Sequence, residues 1–276
     1  MYKRTTGLIV LEIFLLILAL VFLFPLFLMV INSFKTLGEV LRNVLALPKS
    51  PSLANFAFVW KYVRYPRLFL NNVVITVTGI SGIVVFSSIA AYMQSRHKSR
   101  FSTFLYFFCV MPMLIPFQTI MITVLKLMSS IKLTGSTWGL GIQYWGFGIP
   151  LAVFIYHGFV KMIPREIDES AMVDGASTLR TYFQVIFPLL KPVSTTIIVI
   201  DVMWIWNDFL LPLLMINSSK STQTLTLAAY GFIGQYNTDW QYAMAAMVMA
   251  VMPSIIFFVI MQKDIVKGVV VGAVKA

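Results

Sequence analysis

The chain has 276 residues, of which 59% are hydrophobic and 11% charged, with mean hydropathy +0.87 and formal net charge +11. A water-soluble domain carries about 25% charged and about 45–50% apolar residues. A soluble globular enzyme is therefore excluded, as is a disordered chain, and an integral membrane protein remains. Lys and Arg lie in short clusters between long apolar runs, which is a pattern of membrane topology and not of a nucleic-acid-binding face.

About 20 apolar residues cross ~30 Å of hydrocarbon. Six runs qualify: 8–31, 69–93, 101–124, 139–163, 193–216 and 243–261. Lipid offers no partner to unpaired backbone groups, and the runs are long and lack two-residue alternation, so helices are predicted. The expected fold is all-α: six transmembrane helices in a single domain, 1–276. Lys3 and Arg4 precede the first run as in a signal peptide. That run is longer than a signal core of about 7–15 residues, and no Ala-x-Ala site follows, so it reads as an uncleaved span. Glu12, near its inner end, reads as interfacial.

Placing both termini in the cytoplasm puts twelve of the 21 Lys and Arg inside and nine outside. The cluster Arg96-His97-Lys98-Ser99-Arg100 is the best inside marker. Six of the nine outer cations lie in segment 32–68, and nothing in the sequence accounts for them. The lone Cys109 and the two histidines, His97 and His157, lack neighbours at ligand spacing, so no metal site is expected.

The loop 164–192 carries the most specific pattern. Pro164 suits the first turn of a helix. Glu166, Asp168 and Glu169 suit the positive end of its dipole. Gly175 can end that helix in the left-handed region, and Ser177 can cap a second one. Tyr182, Val185 and Ile186 make a short apolar stripe, and Pro188 and Pro192 close the loop. The residues alone leave two readings open: an amphipathic connector at the membrane surface, or a docking element.

The run Glu169-Ser170-Ala171, three residues, Gly175, nine residues, then Val185-Ile186-Phe187-Pro188 resembles the EAA loop of binding-protein-dependent ABC importer permeases. The family pattern is Glu-Ala-Ala, Gly, then Ile-x-Leu-Pro, so Ser170, Val185 and Phe187 are mild departures. The resemblance implies that this loop docks on a cytoplasmic ATPase subunit. Glu169 would be a polar contact, Gly175 the corner, and Ser170, Ala171, Asp174, Ala176 and Pro188 the rest of the coupling element.

Other stretches are similar to the smaller six-span permease of the maltose type. They are Ser33-Phe34-Lys35, Asn55-Phe56, Phe69-Leu70-Asn71-Asn72, Pro112 with Pro116, and Trp206-Asn207-Asp208-Phe209 with Pro212. The ending Gly268…Gly272-Ala273-Val274-Lys275-Ala276 resembles the tail of that family. It implies a cytoplasmic tail, 263–276, that reaches the ATPase subunits through Gly272 and Lys275.

In the fifth run, Asp201, Trp204 and Asp208 fall at i, i+3 and i+7, one helical face, with Asn207 beside them. A carboxylate at bilayer depth costs about 2.5–3.5 kcal/mol on insertion scales, so it faces protein or water. One reading makes these residues contacts for a sugar in the translocation path. The other has Asn207 and Asp208 cap a helix break before Pro212 or bond a neighbouring span. The resemblance favours the second, because bound sugar in that family is held mainly by the partner permease. The outer segment 217–242, with Tyr230, Phe232, Tyr236 and Trp240, reads either as an interfacial aromatic belt or as a loop reaching an external binding protein.

The chain has no Gly-x-x-x-x-Gly-Lys-Ser/Thr phosphate loop. The expectation is a non-catalytic subunit without a cofactor of its own, in a bacterial or archaeal cytoplasmic membrane, with ATP and Mg on separate ATPases. Its partners would be a second permease, two ATPase subunits, an extracytoplasmic sugar-binding protein and lipid, and no nucleic acid. Alternatives are a permease for a non-sugar solute, an ion-coupled transporter, and a lipid- or sugar-lipid enzyme using Asp201 and Asp208.

Overall fold

The computed structural model describes residues 6–234 and 238–273, with side chains over 7–234 and 238–263. Helix α1, Thr6–Ser33, is apolar all round, and none of its best 18-residue window is buried. That is the signature of a helix whose solvent is lipid. Two short helices follow: α2, Leu37–Arg42, and α3, Ala54–Tyr62. A capping box opens α2. The Glu39 backbone N–H donates to the Thr36 hydroxyl, and Glu39 accepts from the Thr36 backbone N–H at 3.0 Å, which holds its carboxyl below the ordinary carboxylate range.

The long helix α4, Tyr65–Arg96, is the second span. The third run departs from expectation. Instead of one helix over 101–124, α5, Arg100–Val110, passes through a 3₁₀ turn at Met111–Leu114 and then turns by 107° into α6, Phe117–Ser130. Pro112 and Pro116 supply no N–H; Met111 before Pro112 stays helical, whereas Ile115 before Pro116 is extended at φ −92°, ψ 114°, and the run breaks there. Helix α7, Thr137–Met162, is the fourth span.

Helix α8, Glu166–Val173, and α9, Thr178–Thr181, form the following loop. One π turn, Tyr182–Ile186, leads into α10, Phe187–Leu189. Pro188 has no N–H for the carbonyl four residues back, and the wider turn lets the Phe187 N–H reach the Tyr182 carbonyl instead. Helix α11, Lys191–Asn207, lies at 73° to the segment before it and ends at Asp208. After that break come α12, Leu210–Ile216, α13, Leu225–Tyr230, and α14, Trp240–Ala273. The sixth span therefore continues as helix well past 261. Among the described residues four helices are long and apolar enough to span alone, and up to six spans result when each bent pair counts as one. Among the described residues the fold is helical, with one isolated bridge, Ile233–Thr238.

The chain packs as two compact units: one takes the chain up to Pro66 plus Leu225–Met252, the other Arg67–Thr224 plus the chain from Pro253. In the first, Lys35 is buried, and its Nζ donates to Asn32 Oδ1 at 2.9 Å and to the carbonyls of Asn43 and Val44 at 3.1 and 3.2 Å. The Asn55 amide donates to the carbonyls of Ser33 and Lys35, both at 2.8 Å, and the Phe34 and Phe56 rings meet at 5.1 Å. The separate Ser33-Phe34-Lys35 and Asn55-Phe56 signatures thus form one structure, which accounts for one of the six cations of segment 32–68. An aromatic stack of Phe58 on Tyr242 and Trp60 on Tyr65 flanks a small core of Val59, Phe232 and alanines.

In the second unit, α4 and α7 approach through small residues. A Cβ on Gly82 would enter the Trp145 indole, and one on Gly141 would lie 2.6 Å from the Thr78 side chain. Trp145 Nε1 donates to the Thr78 carbonyl at 2.8 Å, which fixes the register of the pair. Tyr92, Tyr144, Tyr156, Ile186, Leu190 and Ile216 fill the core. This core holds the loop between α7 and α11.

Candidate functional site

The loop between α7 and α11 is built by local chemistry. Helix α8 starts at Glu166, with Arg165 as its N-cap residue and Pro164 just before it, so Pro164 lies ahead of the first turn instead of within it. Glu166, Asp168 and Glu169 occupy that first turn, where their charge complements the exposed N–H groups. The helix ends in a Schellman motif. Ala176 N–H donates to the Ala171 carbonyl and Gly175 N–H to the Met172 carbonyl, both at 3.0 Å, with Gly175 at φ +81°. Ser177 caps α9 by accepting the Arg180 N–H at 3.4 Å. A helix, a glycine corner and a second helical segment follow in the expected order, but Pro188 lies within α10 and Pro192 in the first turn of α11 instead of closing the second helix.

Glu169, Ser170, Asp174, Gly175 and Pro188 are exposed, while Ala171 and Ala176 are partly covered. Tyr182 and Ile186 are buried and Val185 is partly so, and this stripe anchors the second helix in the core. Five large apolar side chains of the loop point outward: Val173 is 86% exposed, Leu179 66%, Phe183 54%, Leu189 49% and Met172 47%.

The sequence missed what holds α8 down. Asp168 is not a surface acid. It is buried, it accepts from the Tyr92 hydroxyl at 2.7 Å, and it pairs with Arg96 at 2.8 Å. Arg96, read above only as a marker of sidedness, also donates to the Ile163 carbonyl at 3.1 Å. Arg165 reaches the carbonyls of Ser95 and Arg96 at 3.4 and 3.3 Å. The Ser88 and Tyr182 hydroxyls meet at 2.6 Å. The sequence offered Arg165, three residues before Asp168, as the local cation, but that side chain goes to the end of α4 and Asp168 takes Arg96 instead.

In the fifth run, the expected face of Asp201, Trp204 and Asp208 runs into a helix break, although Trp204 and Asp208 both meet Tyr144. Helix α11 ends at Asn207, so Asp208 lies beyond it. Asp201 is buried beside a slot too narrow for water, lined by Leu151, Ala152, Ile155, Ile197 and Ile200, whereas Trp204 is 40% exposed. Asp208 receives the Leu210 N–H at 3.1 Å and the Tyr144 hydroxyl at 2.8 Å. The Trp204 ring meets Tyr144 edge-on at 5.3 Å. The Asn207 amide donates back to the Met203 carbonyl at 2.8 Å, and its Oδ1 accepts from Ser254 at 3.2 Å. Asn207 and Asp208 thus bridge a helix break and tie it to neighbouring helices.

Among the described residues no group of His, Cys, Asp or Glu is placed to hold a metal. Gly272 lies within α14, and Lys275 and Tyr236 lie outside the described residues.

Residues 83–271 match the family described as binding-protein-dependent transport system inner membrane component. A probable starch degradation products transport system permease of Thermoanaerobacterium thermosulfurigenes is 41% identical over 260 residues, covering 94% of each chain. A multiple sugar-binding transport system permease of Streptococcus mutans is 37% identical over 264 residues, covering 92% of each. Among solved structures, a chain of a bacterial ABC transporter that imports the acidic polysaccharide alginate superposes with TM-score 0.80. It is 21% identical, with 95% of this chain and 98% of that chain covered.

Proposed function

The chain belongs to the family of binding-protein-dependent transport system inner membrane components, and from that premise we propose that it is a permease subunit that passes a carbohydrate across the membrane while a separate ATPase supplies the energy. The carbohydrate reading rests on relatives named for starch degradation products and multiple sugars, each matched over nearly its whole length. The coupling reading rests on one observation: Val173, at the end of α8, exposes 86% of its surface beside the Gly175 corner on a loop otherwise anchored by buried bonds. Burying such a side chain is worth about 1.5–3 kcal/mol, and a docked partner recovers that energy.

In this reading α8 seats on one of two cytoplasmic ATPase subunits. Met172, Val173, Leu179 and Phe183 form the apolar contact, and Glu169 and Asp174 the polar rim. ATP and Mg are held by the ATPases. A second permease completes the pathway, and an extracytoplasmic binding protein delivers the sugar to the side opposite the loop. Both termini then lie in the cytoplasm, and the tail containing Gly272 and Lys275 adds a second contact to the ATPases. Asp201, Trp204, Asn207 and Asp208 shape the fifth span and do not grip the solute; the bonds of Asn207 and Asp208 to Ser254, Tyr144 and Leu210 support that assignment.

Purification in mild detergent tests the proposal: an ATPase subunit is expected to accompany the permease. The reconstituted complex is expected to take up labelled maltooligosaccharides only with ATP and the binding protein. Uptake that persists without the ATPase would refute the reading.

A further inference from the structure

The loop is joined in sequence to α7 and α11, yet its buried polar bonds run to α4. Tyr92 and Arg96 both engage Asp168, Arg96 also holds the Ile163 carbonyl, and Arg165 caps the last carbonyls of α4. One turn or two further up α4, Ser88 meets Tyr182 of the second loop helix at 2.6 Å, and the Tyr92 and Tyr182 rings lie 5.3 Å apart. Both loop helices are thus fastened to one face of α4, by residues one turn apart: Ser88, Tyr92 and Arg96. A buried ion pair resists separation, because each partner left alone is an uncompensated charge. By contrast, α10 and α11 meet at Leu190 with a 73° bend, a natural place to flex.

We propose that the Asp168–Arg96–Tyr92 linkage makes α8 and the C-terminal end of α4 one rigid lever, so that a displacement of α8 is delivered first to the second span. The inference rests on the reading of α8 as the ATPase-facing helix. Asp168 is then a positioning residue. It touches neither solute nor nucleotide, and it sets which span moves with the loop. Coupling is reciprocal, so a change at α4 would equally alter how α8 is presented.

The test uses the complete complex in lipid nanodiscs, with Cys109→Ser and spin labels on exposed positions. Met93 with Ser170 spans the linkage, and Ser170 with Lys191 spans the loop. ATP with vanadate drives the transition, so no solute need be known. The expected result is a Met93–Ser170 distance unchanged by nucleotide and a Ser170–Lys191 distance that shifts. Asp168→Asn should make the first distance nucleotide-dependent. Asp168→Glu should restore the fixed distance. If Asp168→Asn fails to accumulate, Arg96→Lys, which keeps the charge and loses the guanidinium fork, should show the same change. An unmutated complex in which Met93–Ser170 shifts as much as Ser170–Lys191 overturns the lever. So does one in which Ser170–Lys191 stays fixed. A permease that carries no ATPase subunit at all overturns the coupling reading beneath it.

Discussion

Substitution of Gly175 separates backbone strain from steric fit, because a Cβ at this position meets no atom within 4 Å while φ is +81°. An L-residue with a side chain held in the left-handed region costs about 1–2 kcal/mol, a factor of about 5–30 in the population of the corner. Only the cornered loop presents α8, so the apparent affinity for the ATPase falls by the fraction of loop that remains competent. Gly175→Ala should weaken ATPase binding by about 5–30-fold. Gly175→Val should weaken it further, because a β-branched residue at positive φ is a genuine outlier. Gly175→Asn should stay near the parent, since Asn tolerates this region. Titration of the purified ATPase onto nanodisc-held permease measures the three. The order Asn, Ala, Val in rising loss is the prediction. A series that follows side-chain volume, with Asn weaker than Ala, would refute the strain argument, as would three variants that bind like the parent.

Gly82→Ala drives a methyl into the Trp145 indole; overpacking of this kind costs about 1–3 kcal/mol and should lower the detergent melting temperature, whereas Gly146→Ala, whose Cβ meets nothing within 4 Å, should not. Lys35→Met leaves the Asn32 Oδ1 and the Asn43 carbonyl without their donor, while the Val44 carbonyl keeps the Asn32 amide at 3.0 Å. At about 1–3 kcal/mol for each unsatisfied group, limited proteolysis should open the 36–53 segment, and cleavage no faster than in the parent would count against the buried-cation account. Asp208→Ala removes the cap on Leu210 and the Tyr144 acceptor. A lost N-terminal cap costs about 0.5–2 kcal/mol, so reduced thermal stability with unchanged solute preference is expected. Altered preference at full stability would instead place Asp208 in contact with the sugar.

How much was legible depended on how local the cause was. The Gly175 corner, the Ser177 cap and the Tyr182–Ile186 stripe are decided within a few residues of chain, and the residues declared them. The third span was misread because mean hydropathy runs straight through Pro112 and Pro116, although both prolines were visible. Their missing N–H groups, not their polarity, break the helix. In the fifth span the face was drawn up to Asp208, just past the end of α11, while the other reading, a capped break before Pro212 bonded to neighbouring helices, matches the bonds of Asn207 and Asp208.

The sequence by itself determined that this is a helical membrane protein, where its apolar runs lie, and that one polar loop folds into two helices about a glycine. Those properties follow from composition and from bonds made within a turn or two. Only the tertiary structure decided which acid of that loop is exposed and which is buried. Asp168 and Glu169 are adjacent and chemically alike, yet one is locked to Tyr92 and Arg96 and the other is open to solvent. The partners of Asp168 lie more than 70 residues away, on a different helix. No local propensity encodes such a pairing, because it exists only once α4 and α8 have packed.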